Sequence, residues 1–286
     1  MIRIAIPNKG RLAEKTFALL EQAGLPAAFR SDRALMASLG PDFEAILVAQ
    51  DIPDLVADGA AELGVTGADL VVEAERPLDE LIDLGFGRCR LVLAVRDESE
   101  LKTPADLPAG TRVATSFPNT ARRYFEGYGV RAVVVPVSGA AEIAPHLGVA
   151  DGIVDLTSTG STLRVNGLRE VTTILESTAR LVARPEAMAD PDTAGEIRNL
   201  VAAVESVLRA EKKRYLMANV PRNRLEEVRE VIPGLSGPTI VEVLDGGEWV
   251  AAHAVVDADQ VYQTISRLKS LGAEGILVTR IERLMP

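Results

Sequence analysis

The chain has 286 residues, 47% hydrophobic and 25% charged, which fits a folded protein of two or three domains and excludes an intrinsically disordered one. Aromatic residues make up only 4%, so the core must come from Val, Leu, Ile and Ala. A net charge of −10 argues against nucleic acid or an anionic membrane as partner, because both need a positive field.

The first two-thirds alternates short apolar runs with helical patterns. Residues 3–7 read as a strand, and residues 12–23 as a helix with apolar positions at Leu12, Phe17, Leu19 and Leu20, stopped by Gly24. Residues 45–48 form a second strand, 52–58 a helix with Pro53 in its first turn, and 63–66 a third strand. The near-continuous apolar run 91–95 reads as a strand covered on both faces. This alternation predicts a mainly parallel sheet with helices on both sides.

A second block follows from about residue 97. A helical turn at 102–108 joins the blocks; strands are expected at 112–114, 131–135 and 152–156, and helices at 119–128 and near 140–147. Segments 170–177 and 179–183 lead back to the first block, and a long helix at 192–212 closes this part. The expected division is lobe I from 1–95 with 184–212, lobe II from 96–183, and a third module from 213–286.

That last module has another rhythm. A strand at 214–219 and a helix at 224–231 precede strands at 239–244 and 249–255, joined by Asp245-Gly246-Gly247 as a hairpin turn. A helix at 259–271 with Asp257 as N-cap and a strand at 275–281 complete a βαββαβ order, which is ferredoxin-like. No nucleophile, base or metal cluster stands out in it, so regulation or assembly is its expected work.

Few residues offer covalent or metal chemistry. Cys89 is the only cysteine, so no internal disulfide can form, and it reads as a small buried apolar residue. His146 and His253 are far apart in sequence, and no Cys/His cluster suggests zinc. His146 and Trp249 read as packing residues. The N-terminus reads as a strand rather than a leader, and no apolar run approaches the ~20 residues of a membrane span, so a cytoplasmic protein is expected.

The informative stretch is Gly152-Ile-Val-Asp-Leu-Thr-Ser-Thr-Gly-Ser-Thr-Leu163, an apolar strand carrying Asp155 and then a small polar loop. Ligands of open α/β sheets bind at the carboxyl ends of strands. Thr157, Ser158, Thr159, Gly160, Ser161 and Thr162 can turn backbone N–H groups and hydroxyls toward one phosphate, and Gly160 permits close approach or positive φ. Asp155 beside them can accept hydrogen bonds from sugar hydroxyls. Read blandly, it is a Ser/Thr-rich turn. Lys9 and Arg11, after the first strand, can neutralise a polyphosphate, or are solvated cations at a helix start. Thr66, Gly67 and Asp69 follow the third strand, where Asp69 can line a cleft or cap a helix. Arg30, Arg33, Arg88, Arg90, Arg122 and Arg123 are cations that spacing does not rank.

Ile6-Pro-Asn-Lys-Gly-Arg-Leu12, Asp51-Ile-Pro53, Gly64-Val-Thr-Gly-Ala-Asp-Leu70, Glu142-Ile-Ala-Pro145 and the segment from Ala150 to Leu168 together resemble the ATP phosphoribosyltransferase family. Pro233-Gly-Leu-Ser-Gly-Pro-Thr-Ile240 is similar to the regulatory domain of the family's long form. The resemblance implies a two-lobed, periplasmic-binding-protein-like catalytic part, with the ferredoxin-like domain appended. It implies the reaction that opens histidine biosynthesis: N1 of the ATP adenine attacks C1 of phosphoribosyl pyrophosphate, and pyrophosphate leaves. Magnesium would travel with the substrate, with no direct protein ligation.

By the same resemblance, Thr157 to Thr162 hold the 5-phosphate, and Asp155, Asp151 and Glu142 hold ribose hydroxyls or organise the loop. Lys9 and Arg11 face the pyrophosphate or the ATP phosphates, and Asp69 lines the nucleotide cleft. Asn219, Leu235, Gly237, Thr239 and Gly275 match the family's site for histidine, the feedback inhibitor. Homo-oligomers, dimer and hexamer, are implied. One position departs: the family's arginine five residues before the proline of Asp-Ile-Pro is here Val48, so either another cation such as Arg33 takes the role or the active site is weakened. The competing expectations are a catalytically weak regulatory paralogue and a two-lobed small-ligand-binding protein.

Overall fold

The computed structural model describes residues 1–31, 34–49, 51–243 and 247–285. The chain divides into two compact units, Met1–Ala18 with Pro26–Ile197, and Leu19–Leu25 with Arg198–Pro286.

In the first unit, strand β1 (Ile2–Pro7) leads into helix α1 (Gly10–Gln22). Then come β2 (Ala28–Phe29), β3 (Met36–Ser38), β4 (Phe43–Val48), α2 (Ile52–Ala57), β5 (Leu63–Gly67), α3 (Ala68–Ala74) and β6 (Asp79–Asp83). β1 is buried at Ile2, Ile4, Ala5 and Ile6 and pairs in parallel with both β4 and β5, which makes it a central strand. The chain then enters a second sheet through β7 (Cys89–Arg96), β8 (Arg112–Thr115), α4 (Pro118–Gly127), β9 (Val133–Pro136), β10 (Gly152–Thr157), α5 (Ser161–Val165) and β11 (Leu168–Ser177). It returns through β12 (Ala179–Ala183), followed by α6 (Pro185–Ala189) and α7 (Pro191–Glu211).

The sheet orders are β2-β3-β4-β1-β5-β12-β6 and β11-β7-β10-β8-β9. Two sheets joined by two crossings make the two-lobed α/β body expected from the sequence. The crossings fall between β6 and β7 and at Thr178, not after residues 95 and 183. The run 91–95 is covered on both faces, as its apolarity requires, but between antiparallel neighbours β10 and β11 of the second lobe. The helix expected near 140–147 shrinks to a 3-10 turn at Ala141–Ile143, since Pro145 cannot donate within a continuing helix. Strands β2, β3 and β6 carry no clear sequence signal; each is short or mostly exposed and lacks a clean alternation.

In the second unit, β13 (Lys213–Pro221), α8 (Leu225–Val231), β14 (Thr239–Glu242), β15 (Trp249–Asp257), α9 (Val261–Ser270) and β16 (Glu274–Arg280) follow in βαββαβ sequence. Their order β14-β15-β13-β16, antiparallel throughout, is ferredoxin-like. Leu216, Ala218, Val220, Val250, Ala252 and Ala254 form the sheet's contribution to a core shared with Val228 and Leu268 of the helices. Asp257 does not cap α9: the helix starts at Val261, and Asp257 pairs with Lys213 at 2.7 Å. Of the expected hairpin turn, Asp245 and Gly246 lie outside the described residues. Residues 19–25 and α7 from Arg198 also belong to this unit. Arg283 donates to the Gln22 carbonyl at 3.2 Å, and the Leu284 N–H to that of Ser206 at 2.9 Å.

Candidate active site

Register places the candidate residues around the two crossings. At the carboxyl end of β10, Thr157 sits opposite Arg90 of β7, just inside the first crossing. At the carboxyl end of β5, Gly67 sits opposite Ala179 of β12, just beyond the second. Two strand ends that carry candidate loops therefore meet the segments joining the lobes, where a crevice is expected in open α/β sheets.

The loop after β10 is built by its own side chains. The Gly160 N–H donates to Thr157 Oγ1 at 2.8 Å, and the Thr159 and Ser161 hydroxyls are 2.9 Å apart. Gly160 has φ 71°, the left-handed region, and immediately precedes α5. The dihedral favours glycine, and a Cβ there, 2.9 Å from Glu170 Oε1 and 3.1 Å from Arg164 Nη1, would have to push the ends of those side chains aside. Ser158, Thr159, Ser161 and Thr162 remain exposed, and the Ser161 N–H at the start of α5 is held by Thr159 Oγ1 at 3.4 Å.

Asp155 lies two residues upstream of Thr157, and its Oδ1 accepts the Leu156 N–H at 2.7 Å. Burial first, and then the charge of Glu142, hold its carboxyl above the usual range. Glu142, on the 3-10 turn, is thus brought beside Asp155. Asp151 is not: it precedes β10 at its other end, roughly 20 Å from Thr157 at about 3.3 Å per residue. There it accepts the Arg112 N–H at 2.8 Å and pairs with the Arg112 guanidinium, so it organises the start of the strand rather than the loop.

On the first lobe, Lys9 and Arg11 are exposed on either side of Gly10, whose φ is 83°. The Asn8 N–H donates to the Val48 carbonyl at 2.7 Å, so the departing position adjoins the Lys9 loop. Val48 itself packs on Ile52, Val56 and Ala61 and supplies no charge. Arg33 lies outside the described residues. Asp69 is buried; it binds Ser177 at the end of β11, its N–H donating to Ser177 Oγ at 3.1 Å and its Oδ1 accepting the hydroxyl. It caps no helix end, since the N-cap of α3 is Gly67.

A cavity of about 390 Å³ opens here, lined by Ser158 of the loop, the cationic Arg88, Arg90 and Arg180 and the acidic Asp83 and Glu176 among others. Spacing does not rank Arg90, and it gives no signal for Glu170 or Ser177, because these act through partners 80 and 108 residues away. Cys89 lines the same cavity, but burial and then the charge of Asp69 push its thiol up, which makes it a poor nucleophile. His146 donates from Nε2 to the Asn166 carbonyl at 2.7 Å. Among the described residues no three His, Cys, Asp or Glu side chains converge as metal ligands, and no helix is long and apolar enough to cross a membrane.

In the second unit, Asn219 and Gly275 are neighbours: a Cβ on Gly275, at φ 59°, would stand 3.4 Å from Asn219 Nδ2. Thr239 pairs with His253 of β15, the strand lying between β14 and β13. Thr239 and Asn219 are therefore two strands apart, roughly 10 Å at the usual inter-strand spacing. Leu235 and Gly237 precede Thr239, and Leu235 is exposed. The expected effector positions thus fall into two groups facing each other across β15.

The fold and the β10 loop define a two-lobed α/β protein with a Ser/Thr-rich turn beside the crossings and a small α+β module. A family profile described as ATP phosphoribosyltransferase matches residues 48–206, and one described as HisG, C-terminal domain, matches residues 210–283. ATP phosphoribosyltransferases of Gemmatimonas aurantiaca and Methanopyrus kandleri are 59% and 52% identical, covering 100% of this chain and of each relative. A solved complex, ATP phosphoribosyl transferase (HisG:HisZ) from Thermotoga maritima, superposes with TM-score 0.65 at 28% identity, over 74% of this chain and 99% of that one. The chain belongs to the ATP phosphoribosyltransferase family, in the long form that carries the C-terminal domain. It is accordingly a transferase of histidine biosynthesis.

Proposed function

We propose the following division of labour for the ATP phosphoribosyltransferase reaction, in which ATP and phosphoribosyl pyrophosphate give phosphoribosyl-ATP and pyrophosphate. The loop from Thr157 to Thr162 holds the 5-phosphate through its N–H groups and hydroxyls. The observation that carries this is the left-handed Gly160, donating to Thr157 Oγ1 and leading straight into α5. Asp155, with Glu142 beside it, orients the ribose hydroxyls. Lys9 and Arg11 stabilise the charge that grows on the departing pyrophosphate. No covalent intermediate is needed: adenine N1 adds to C1 as the C1–O bond to pyrophosphate breaks, and positioning plus leaving-group stabilisation supply the catalysis.

Magnesium fits this scheme as part of the substrate. Mg²⁺ characteristically keeps several waters when it rides on phosphates. Histidine binds the C-terminal module at Asn219, Gly275, Thr239, Gly237 and Leu235, and inhibits by favouring one arrangement of subunits in a homo-oligomer, dimer or hexamer. The assay is pyrophosphate release with ATP and phosphoribosyl pyrophosphate, together and singly. Release requiring both supports the scheme; release from phosphoribosyl pyrophosphate alone, or none, rejects it.

A further inference from the structure

Helix α3 belongs in sequence to the first lobe, between β5 and β6, yet it packs against α4 and β11 of the second as well as α2 and β5 of the first. Leu70 of α3 packs on the second-lobe core around Leu91, Leu93 and Phe117. The polar contacts are more specific. The first turn of α4 lacks a cap of its own, because its N-cap position is Phe117, whose side chain has no acceptor. Glu73 supplies what is missing: its Oε1 accepts the Asn119 N–H at 2.9 Å and its Oε2 accepts the Thr120 N–H at 2.9 Å. The Thr120 hydroxyl donates to the same Oε2 at 2.8 Å, and Asn119 Nδ2 donates to the Glu73 carbonyl at 2.9 Å. One turn on, Arg123 donates to the Val72 carbonyl at 2.9 Å and pairs with Glu75 at 3.2 Å.

A carboxylate at a helix N-terminus satisfies orphan N–H groups and meets the positive end of the helix dipole. Here acceptor and helix lie on different lobes, so the cap also fixes the lobes with respect to each other. At the other end of α3, Asp69 is fixed to Ser177 at the second crossing. The two anchors, four residues apart, define a direction as well as a point, which restricts rotation about the crossings.

We propose that α3 is a bracket that sets the opening of the crevice, and that Glu73 is a positioning residue for phosphoribosyl transfer. This rests on the reading that the β10 loop holds the 5-phosphate while Lys9 and Arg11 act from the other lobe. The reacting atoms are then carried by different lobes, and a small change in lobe angle moves C1 relative to the leaving-group cations while leaving each half of the site intact.

The test uses the full chain with Glu73→Ala, the near-isosteric Glu73→Gln, and Asn119→Ala on the opposite side of the contact. Three quantities are read: kcat at saturating substrates, the calorimetric Kd of phosphoribosyl pyrophosphate, and Tm. The expected result is a kcat lowered at least tenfold in Glu73→Ala with Kd changed less than twofold, Glu73→Gln recovering part, and Asn119→Ala showing a smaller loss of the same kind. A lowered Tm with unchanged kcat would show a merely structural cap and overturn the proposal. So would equal losses in kcat and affinity, which would put Glu73 to work through the phosphate loop itself. Failure of the underlying reading shows separately, as Gly160→Val and Lys9→Ala variants whose kcat and Kd match those of wild type.

Discussion

Glu170 accepts both terminal N–H groups of Arg90, at 2.8 and 3.0 Å, and its Oε1 stands 2.9 Å from where a Cβ on Gly160 would lie. The ion pair thus forms the wall against which the left-handed turn is folded. Gly160→Val must displace that wall, and a non-glycine residue in the left-handed region costs roughly 1–2 kcal/mol besides. Affinity for phosphoribosyl pyrophosphate is expected to fall at least tenfold, read by calorimetry, with an unchanged circular dichroism spectrum. Unaltered affinity would remove this loop from the site.

Lys9 is exposed at the end of β1, so its substitution leaves the core intact. A charge-assisted contact is worth roughly 1.5–3 kcal/mol. Lys9→Ala is therefore expected to lower kcat/KM by about tenfold to a hundredfold. A kinetically silent variant would leave Lys9 as a solvated cation at a helix start.

The sequence was most legible where structure is local. The β10 strand, its loop and Gly160 lie within a dozen residues, and dihedral preference, small side chains and strand periodicity all speak there at once. The βαββαβ module was legible for the same reason. Partnership across the chain was not. Residues 91–95 announce burial on two faces but carry no signal for which sheet provides it. Glu170 reaches Arg90 over 80 residues of chain and Glu73 reaches Asn119 over 46, without any spacing rule to reveal them. Proximity in sequence groups Asp151 with the loop, whereas an extended strand carries it to the far end.

Asp155 offers a test in pH. Its folded pKa is raised by burial and by Glu142, so the fold favours the protonated form. Stability from this group is present below the unfolded value, near 3.8, and is lost as pH rises through the folded value. Asp155→Asn removes that loss. The variant's Tm is expected to match wild type at pH 3.5 and to equal or exceed it at neutral pH, while kcat/KM falls as the ribose contact weakens. A variant less stable at neutral pH would mean the ionised carboxylate is a stabilising group in the free protein.

Val48 leaves a cation to be found elsewhere. If Arg33 supplies it, Arg33→Ala lowers kcat/KM at least tenfold, and adding Val48→Arg restores part, since Val48 adjoins the Lys9 loop through the Asn8 N–H. Wild-type kinetics in Arg33→Ala would end the assignment.

For the effector, Thr239→Val removes a hydroxyl with little change of volume, and Asn219→Ala removes the amide beside Gly275. Effector coupling of 1–3 kcal/mol corresponds to roughly 5–150-fold. Each variant is expected to raise the histidine concentration for half-inhibition at least fivefold, with uninhibited kcat unchanged. Full sensitivity in both would place the effector elsewhere.

The two crossings carry an architectural consequence. Everything from Cys89 to Ser177 is one uninterrupted stretch, and these two residues pair directly across β7 and β11. The second lobe is therefore a cassette whose entry and exit are adjacent, spliced into the first lobe at a single place. Such a stretch can be closed on itself by a short linker, or permuted to begin elsewhere on its surface, without redrawing a strand order. Catalytic halves joined in this way can diverge separately, each keeping its own sheet.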